Sequence, residues 1–141
     1  MMKFTLSLIA VIGVAEANFK SGSVSSRDKF TYGKFITRMK TPNRKGTVAS
    51  FFTNWDGPGF YPGGWNEIDL NVVPSEADPL STNAIYGDGH NKIEDHAYAG
   101  DHHAIGSDWH TYQIEWTPRN IRFSMDGDVV RNLDADHHEA V

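Results

Sequence analysis

Cysteine is absent from the 141-residue chain, which excludes a disulfide framework, a thiolate metal site and a cysteine nucleophile. An excess of basic residues is also missing, since 13 lysines and arginines stand against 18 acidic residues. With a formal net charge of −5, the chain lacks the basic surface that nucleic acid requires, and we expect no nucleic-acid partner. After residue 18, no stretch repeats apolar residues at helical spacing over three turns, which disfavours a helical fold.

The remaining composition is that of an ordinary globular protein. Hydrophobic residues make up 39% of the chain and aromatic residues 12%. At this length one domain is expected, because two would each bury too little apolar surface. Packing around a single core must therefore hold the fold together.

The chain opens with the features of a secretory signal peptide. Lys3 precedes the largely apolar run 4–14, and the small residues of Ala-Glu-Ala at 15–17 stand where signal peptidase cleaves. A membrane-spanning helix is the alternative, but the run falls well short of the roughly twenty residues that cross a bilayer. We therefore expect residues 1–17 to be removed, and a secreted domain of residues 18–141 with no membrane attachment.

Short runs rich in β-branched and aromatic residues, separated by Gly, Pro, Asn and Asp, predict an all-β domain. The expected strands are 32–40, 46–53, 66–73, 82–86, 109–116, 121–125 and 128–131. Asp126-Gly127 favours a type I′ hairpin turn between the last two, because these residue types adopt positive φ readily. Seven such strands suggest a β-sandwich.

The predicted strand 66–73 has an acidic side. Alternation along an extended chain places Glu67, Asp69 and Asn71 on one side, with apolar residues on the other. Two carboxylates at this spacing lie about 7 Å apart and repel. Such a row indicates a polar groove more strongly than scattered surface charge does, which is the alternative.

The segment before this strand is rich in glycine, proline and aromatic rings. It runs from Asn54 and Trp55 to Trp65, and Asn66 begins the strand. Flat aromatic rings stack on the C–H faces of sugars, so a loop of this kind beside acidic groups suits a carbohydrate groove. Packing of the rings within the loop is the alternative. We expect Asn54 and Trp55 to line the groove and Asn66 either to donate to a sugar hydroxyl or to begin the strand.

Three stretches carry a resemblance to a known family in their order and spacing. They are Gly46-Thr-Val-Ala-Ser-Phe-Phe-Thr53, Trp65-Asn-Glu-Ile-Asp-Leu70, and His110-Thr-Tyr-Gln-Ile-Glu-Trp116 followed by Pro118, Ile121, Phe123 and Asp126-Gly127. Over residues 21–131 the chain resembles glycoside hydrolase family sixteen, the lichenases, laminarinases and their relatives. The resemblance implies an antiparallel β-jelly-roll sandwich, concanavalin A-like, whose concave face binds β-1,3- or mixed β-1,3/1,4-glucans or related galactans.

The family's domains are longer than this chain. We therefore expect the jelly roll to be incomplete at both ends, with open sheet edges that favour self-association.

The resemblance also implies roles for single residues. Glu67 matches the nucleophile of a retaining glycosidase, and Asp69 matches a central carboxylate that tunes and orients its neighbours. Trp65 matches a stacking platform, and Tyr86 matches a groove tyrosine, although simple packing explains that ring equally well. The family's general acid stands four residues after the nucleophile. This chain has Asn71 there, an amide with no proton to release.

Two functions stay open at this point. One is a secreted β-glucan hydrolase in which water, the substrate or a residue brought near by folding supplies the proton. The other is an inactive carbohydrate-binding or structural module on the same scaffold. The chain has seven histidines, some of them beside aspartates, and such groups can bind zinc. We prefer the interpretation that these histidines lie in loops and are exposed to solvent. We expect a polysaccharide partner, no metal and no cofactor.

Overall fold

The computed structural model describes residues 21–55, 66–87, 93–98, 105 and 108–134. Within these ranges the chain forms eight β-strands and no helix. The strands are β1 (Gly33–Lys40), β2 (Ala49–Trp55), β3 (Asn66–Val72), β4 (Leu80–Tyr86), β5 (Ile93–Tyr98), β6 (Trp109–Trp116), β7 (Asn120–Met125) and β8 (Asp128–Asp134). The predicted signal peptide at 1–17 and the predicted stacking residue Trp65 lie outside the described residues.

The strands form two four-stranded sheets. Their orders are β1-β6-β7-β8 and β2-β3-β4-β5. Every pairing within them is antiparallel. The all-β antiparallel fold predicted from the sequence is therefore confirmed. The described residues accordingly include no candidate membrane-spanning helix.

A hydrophobic core lies between the sheets. Strand β3 contributes Ile68, Leu70 and Val72, each at most 1% exposed. The other sheet contributes Tyr112, Ile114, Ile121, Phe123 and Leu133 to the same cluster. A one-residue slip of β3 would exchange its apolar and acidic sides, so burial of the apolar side fixes the register of the strand.

The seven predicted strands are all present, with ends shifted by up to three residues, and Trp109–Trp116 matches the prediction fully. The predicted hairpin turn is also confirmed, since Asp126 and Gly127 have φ of 52° and 96°. One strand, β5, was not predicted. Its core-facing positions include Asp95, so the apolar alternation that reveals a strand is missing.

Arg131 explains how β5 places an aspartate on its inner side. From β8, the Arg131 guanidinium donates to the Thr82 hydroxyl (3.1 Å) and to the Asp95 carbonyl (3.1 Å), and it pairs with the Asp95 carboxylate. The pair is partly buried, with the Arg131 side chain 15% exposed and the Asp95 side chain 36% exposed. This contact ties the two sheets together and sets which side of β5 faces inward.

Candidate functional site

Strand β3 turns its acidic side away from the core. Because Ile68 and Leu70 are buried between the sheets, the alternating residues Glu67, Asp69 and Asn71 project from the outer side of the β2-β3-β4-β5 sheet. We call this outer side the acidic face. Asp69 is 6% exposed, while Glu67 and Asn71 are half-buried. The predicted two-sided strand is confirmed, and the chemical roles of its residues stay predictions.

The strand register arranges the acidic face in three rows across the sheet, because directly opposed residues share a side. In order from β2 to β5, the rows are Asn54, Glu67, Ile85 and Glu94; Phe52, Asp69, Asn83 and His96; and Ser50, Asn71, Ser81 and Tyr98. Sequence reasoning missed Ser50, Asn83 and the whole β5 contribution. Only the pairing of the strands brings these residues beside the acids.

Exposure varies across the acidic face in a regular way. Along β4 the residues Ser81, Asn83 and Ile85 are each at most 9% exposed. At the two edges, Phe52 on β2 is 45% exposed and Tyr98 on β5 is 63% exposed. The acidic face is therefore deepest at β4 and opens to solvent along both edge strands, as a surface that receives an elongated ligand does.

We call Glu67, Asp69 and Asn71, which follow one another along β3, the acidic row. Two side chains of β2 form hydrogen bonds with residues of this row. Asn54 Nδ2 donates to Glu67 Oε2 at 3.2 Å, and Ser50 Oγ donates to Asn71 Oδ1 at 2.6 Å. The first contact orients the Glu67 carboxylate. The second occupies the amide oxygen of Asn71, so the amide N–H₂ group is the end directed away from Ser50. An amide in this orientation donates a hydrogen bond but releases no proton.

Three predicted sugar-contacting residues lie on the other side of the same sheet. Trp55 and Asn66 are paired with each other one position away from Asn54 and Glu67, and Tyr86 follows Ile85 on β4. Alternation therefore turns all three away from the acidic face. Tyr86 is 9% exposed, and burial with nearby Asp95 raises its pKa. Lys29 Nζ lies 4.0 Å from the centre of the Trp55 ring. The structure thus brings Asn54 to the acidic row but not these three.

The other sheet carries a separate polar cluster at the β7–β8 turn. Asp126 Oδ2 lies 2.7 Å from His110 Nδ1, and Asp126 Oδ1 accepts the Thr111 backbone N–H at 2.8 Å. The His110 and Thr111 contacts lower the pKa of Asp126. Burial raises the pKa of Tyr112 to about 12, with Asp126 adding to the shift. Among the residues described, no three His, Asp or Glu side chains are grouped to hold a metal.

Two carboxylates projecting from the outer side of a β-sandwich are the kind of groups through which glycosidases act on sugars. The chain belongs to the family described as glycosyl hydrolases family 16, whose sequence model matches residues 3–141. The family resemblance predicted from the motifs is confirmed.

Two β-glucanases illustrate the sequence similarity. The enzyme of Fibrobacter succinogenes is 32% identical over 126 residues, covering 86% of this chain and 35% of that protein. The enzyme of Acetivibrio thermocellus is 34% identical over 116 residues, covering 79% of this chain and 32% of that protein. The chain thus spans about a third of the length of these relatives.

Solved structures give the same result for the fold. A Bacillus licheniformis β-glucanase matches with a TM-score of 0.56 and 25% identity, covering 77% of this chain and 48% of that one. A β-1,3-1,4-glucanase (lichenase) from a mouse hindgut metagenome matches with a TM-score of 0.56 and 30% identity, covering 78% and 49%. The predicted jelly-roll sandwich is confirmed, over about half of the length of these structures.

Proposed function

We propose that this chain is a secreted domain whose acidic face takes β-1,3- or mixed β-1,3/1,4-linked glucan. One observation carries the proposal: Glu67 and Asp69 project outward from β3 while Ile68 and Leu70 are buried. The β-glucanase names of the relatives support the substrate class. The depth of the acidic face along β4 supports an extended ligand lying across the strands.

Glu67 is the proposed nucleophile of a retaining mechanism. Its carboxylate attacks the anomeric carbon, the glycosidic C–O bond breaks, and water later hydrolyses the glycosyl ester. Asn54, which donates to Glu67 Oε2, keeps the carboxylate oriented during the attack. Asp69 lies between Glu67 and Asn71 on the same side and tunes its neighbours electrostatically.

Asn71 occupies the position of the general acid. A departing sugar alkoxide needs a proton, and the Asn71 amide supplies only a hydrogen bond. Loss of a general acid costs about 10²–10⁴-fold in rate. We therefore propose slow turnover of natural glucan, in which solvent water protonates the departing sugar alkoxide. The rate should then depend on how readily the leaving group departs without a general acid.

The second candidate function is carbohydrate binding without turnover. The hydrogen bond from Ser50 to Asn71 Oδ1 favours this binding function, because the Asn71 amide is held by a side chain of the neighbouring strand β2. A sugar-binding surface needs oriented donors and acceptors rather than a transferable proton. The two functions share one ligand class and differ only in whether the glycosidic bond is broken.

The comparison of Asn71→Glu with the natural chain separates the two functions. Each protein is assayed on a dinitrophenyl β-gluco-oligosaccharide, whose leaving group departs without a proton, and on mixed-linkage glucan. We expect the natural chain to release dinitrophenolate through Glu67, and Asn71→Glu to restore cleavage of the polysaccharide by about 10²-fold or more.

Glu67→Gln is the matched control, since it removes the nucleophile and keeps the side-chain size. Release of dinitrophenolate that persists in Glu67→Gln would contradict the assigned nucleophile. Binding of the oligosaccharide with no release by the natural chain would support the binding function instead.

Export and self-association complete the proposal. An exported product that begins at Asn18 is the expected result of N-terminal sequencing.

Dimers or larger species in sedimentation velocity are expected if the sheet edges pair between copies.

A further inference from the structure

We propose that β5 adds a sugar-binding subsite to the acidic face, in which the Tyr98 ring stacks on a hexose unit and His96 supports the ring. The inference rests on the proposed function, because it concerns the same glucan chain. It extends the site to a strand that no motif revealed, and it assigns a ligand to residues outside the row of Glu67, Asp69 and Asn71.

The direction of the β5 side chains follows from one ion pair and from the register of the strand. Asp95 bonds to Arg131 of the opposite sheet, so the inner side of β5 is the side that carries Asp95. His96 and Tyr98, on alternate positions, therefore face outward. The register agrees, because Tyr98 is opposite Ser81, and Ser81 is opposite Asn71 of the acidic row.

The two rings of β5 form an ordered and accessible pair. The centres of the His96 and Tyr98 rings are 5.0 Å apart, and the ring planes meet at 90°. This edge-to-face arrangement is favourable and holds Tyr98 in a defined orientation. Tyr98 nevertheless stays 63% exposed. A flat, accessible ring whose orientation is favoured by a neighbouring ring is suited to packing against the C–H face of a sugar.

The distance to the acidic row suits a second sugar unit. Tyr98 lies two strand spacings from Asn71, which is on the order of 10 Å and exceeds the span of one sugar ring. Between them, β4 presents Ser81 and Asn83, both more than nine-tenths buried. The Asn83 Oδ1 atom is buried and has no hydrogen-bond partner among the residues that the structure describes. A continuous polar floor thus connects the acidic row with the ring.

The negative charge of the acidic face favours a neutral ligand. Glu67, Asp69 and Glu94 all lie on the acidic face, and the chain carries a net charge of −5. A second copy of the chain would bring further negative charge against these carboxylates. A neutral chain rich in hydroxyl groups satisfies the polar floor without that repulsion, which favours a glucan as the ligand.

The test measures binding of gluco-oligosaccharides of increasing length by calorimetry. The proteins are the natural chain, Tyr98→Ala and Tyr98→Phe. Trp109→Ala is the control, because Trp109 is a similarly exposed ring on the outward side of the other sheet. We expect Tyr98→Ala to weaken binding of a hexasaccharide about three- to tenfold and to leave disaccharide binding unchanged. Tyr98→Phe and Trp109→Ala should bind both ligands as the natural chain does.

Equal hexasaccharide affinity in Tyr98→Ala and the natural chain would overturn the subsite while leaving the proposed function intact. An equal loss for both ligands would also overturn it, since that result places Tyr98 beside the sugar at Glu67. A natural chain that binds no oligosaccharide of any length would overturn the proposed function and the subsite together. Tyr98→Leu, which keeps an apolar side chain on β5 but has no ring, should show the same hexasaccharide loss and keeps the comparison decisive if Tyr98→Ala folds poorly.

Discussion

The two sides of strand β3 share one backbone and perform different tasks. The inner side, Ile68, Leu70 and Val72, is almost fully enclosed and joins both sheets. The outer side carries Glu67, Asp69 and Asn71, and the first and last of these accept hydrogen bonds from side chains of β2. The contrast teaches that stability and chemistry are assigned to alternate residues, so single substitutions should separate them.

Leu70→Ala should give the largest change in stability. The side chain has no exposed surface, and truncation leaves a cavity between the sheets, so we expect a loss of about 2–5 kcal/mol in the free energy of unfolding. Urea denaturation measures the loss. Glu67→Gln, on the outer side, is the control and should change stability by less than about 1 kcal/mol, because its amide oxygen can still accept from Asn54. Equal losses in the two variants would contradict the division between the sides.

Arg131→Met tests the polar link on the inner side of the same sheet. Removal of the guanidinium leaves Asp95 and Thr82 without their partner from β8, and we expect a loss of about 1–3 kcal/mol. Arg122→Met is the matched control, because Arg122 is more exposed and lies 3.8 Å from Glu115. Its loss should stay below about 1 kcal/mol. Thermal unfolding of both variants distinguishes a structural link from a surface ion pair.

Asp126 on the other sheet should give the smallest effect, and one that depends on pH. Its folded-state pKa is lowered, chiefly by the His110 and Thr111 contacts, so the ionised carboxylate stabilises the folded chain above the unfolded value near 3.8. That contribution is lost as the pH falls through the lowered pKa. Asp126→Asn should therefore destabilise the protein at pH 7, and the difference from the natural chain should shrink toward pH 3.

Urea denaturation at the two pH values measures this difference. Asp128→Asn, an exposed aspartate beside the same turn, is the control. A stability difference that is the same at both pH values would contradict the role of the Asp126 carboxylate.

Local patterns predicted much of this molecule because their causes are local. The alternation of apolar and polar residues predicted β3 and β6. The Asp126-Gly127 pair predicted the turn between β7 and β8, because both residue types readily adopt positive φ. The family motifs then identified the acidic row. These features needed no knowledge of which strands lie side by side.

The missing parts depend on pairing across the sheets. Strand β5 has an aspartate on its inner side, and only Arg131 from a distant strand makes that position stable. Ser50 reaches Asn71 because β2 and β3 are in register, which composition does not reveal. The side of the sheet on which Asn66 lies could have been predicted from the sequence, because the neighbour of Glu67 on a strand must point the other way.

The two-residue period of β3 also limits how this region can change over evolutionary time. An inserted or deleted residue within the strand would present leucine and isoleucine to water and push carboxylates between the sheets. Pairing with β2 and β4 on both flanks prevents the strand from sliding to compensate. Descendants of this chain should therefore keep the length of this segment constant, even where they accept substitutions within it.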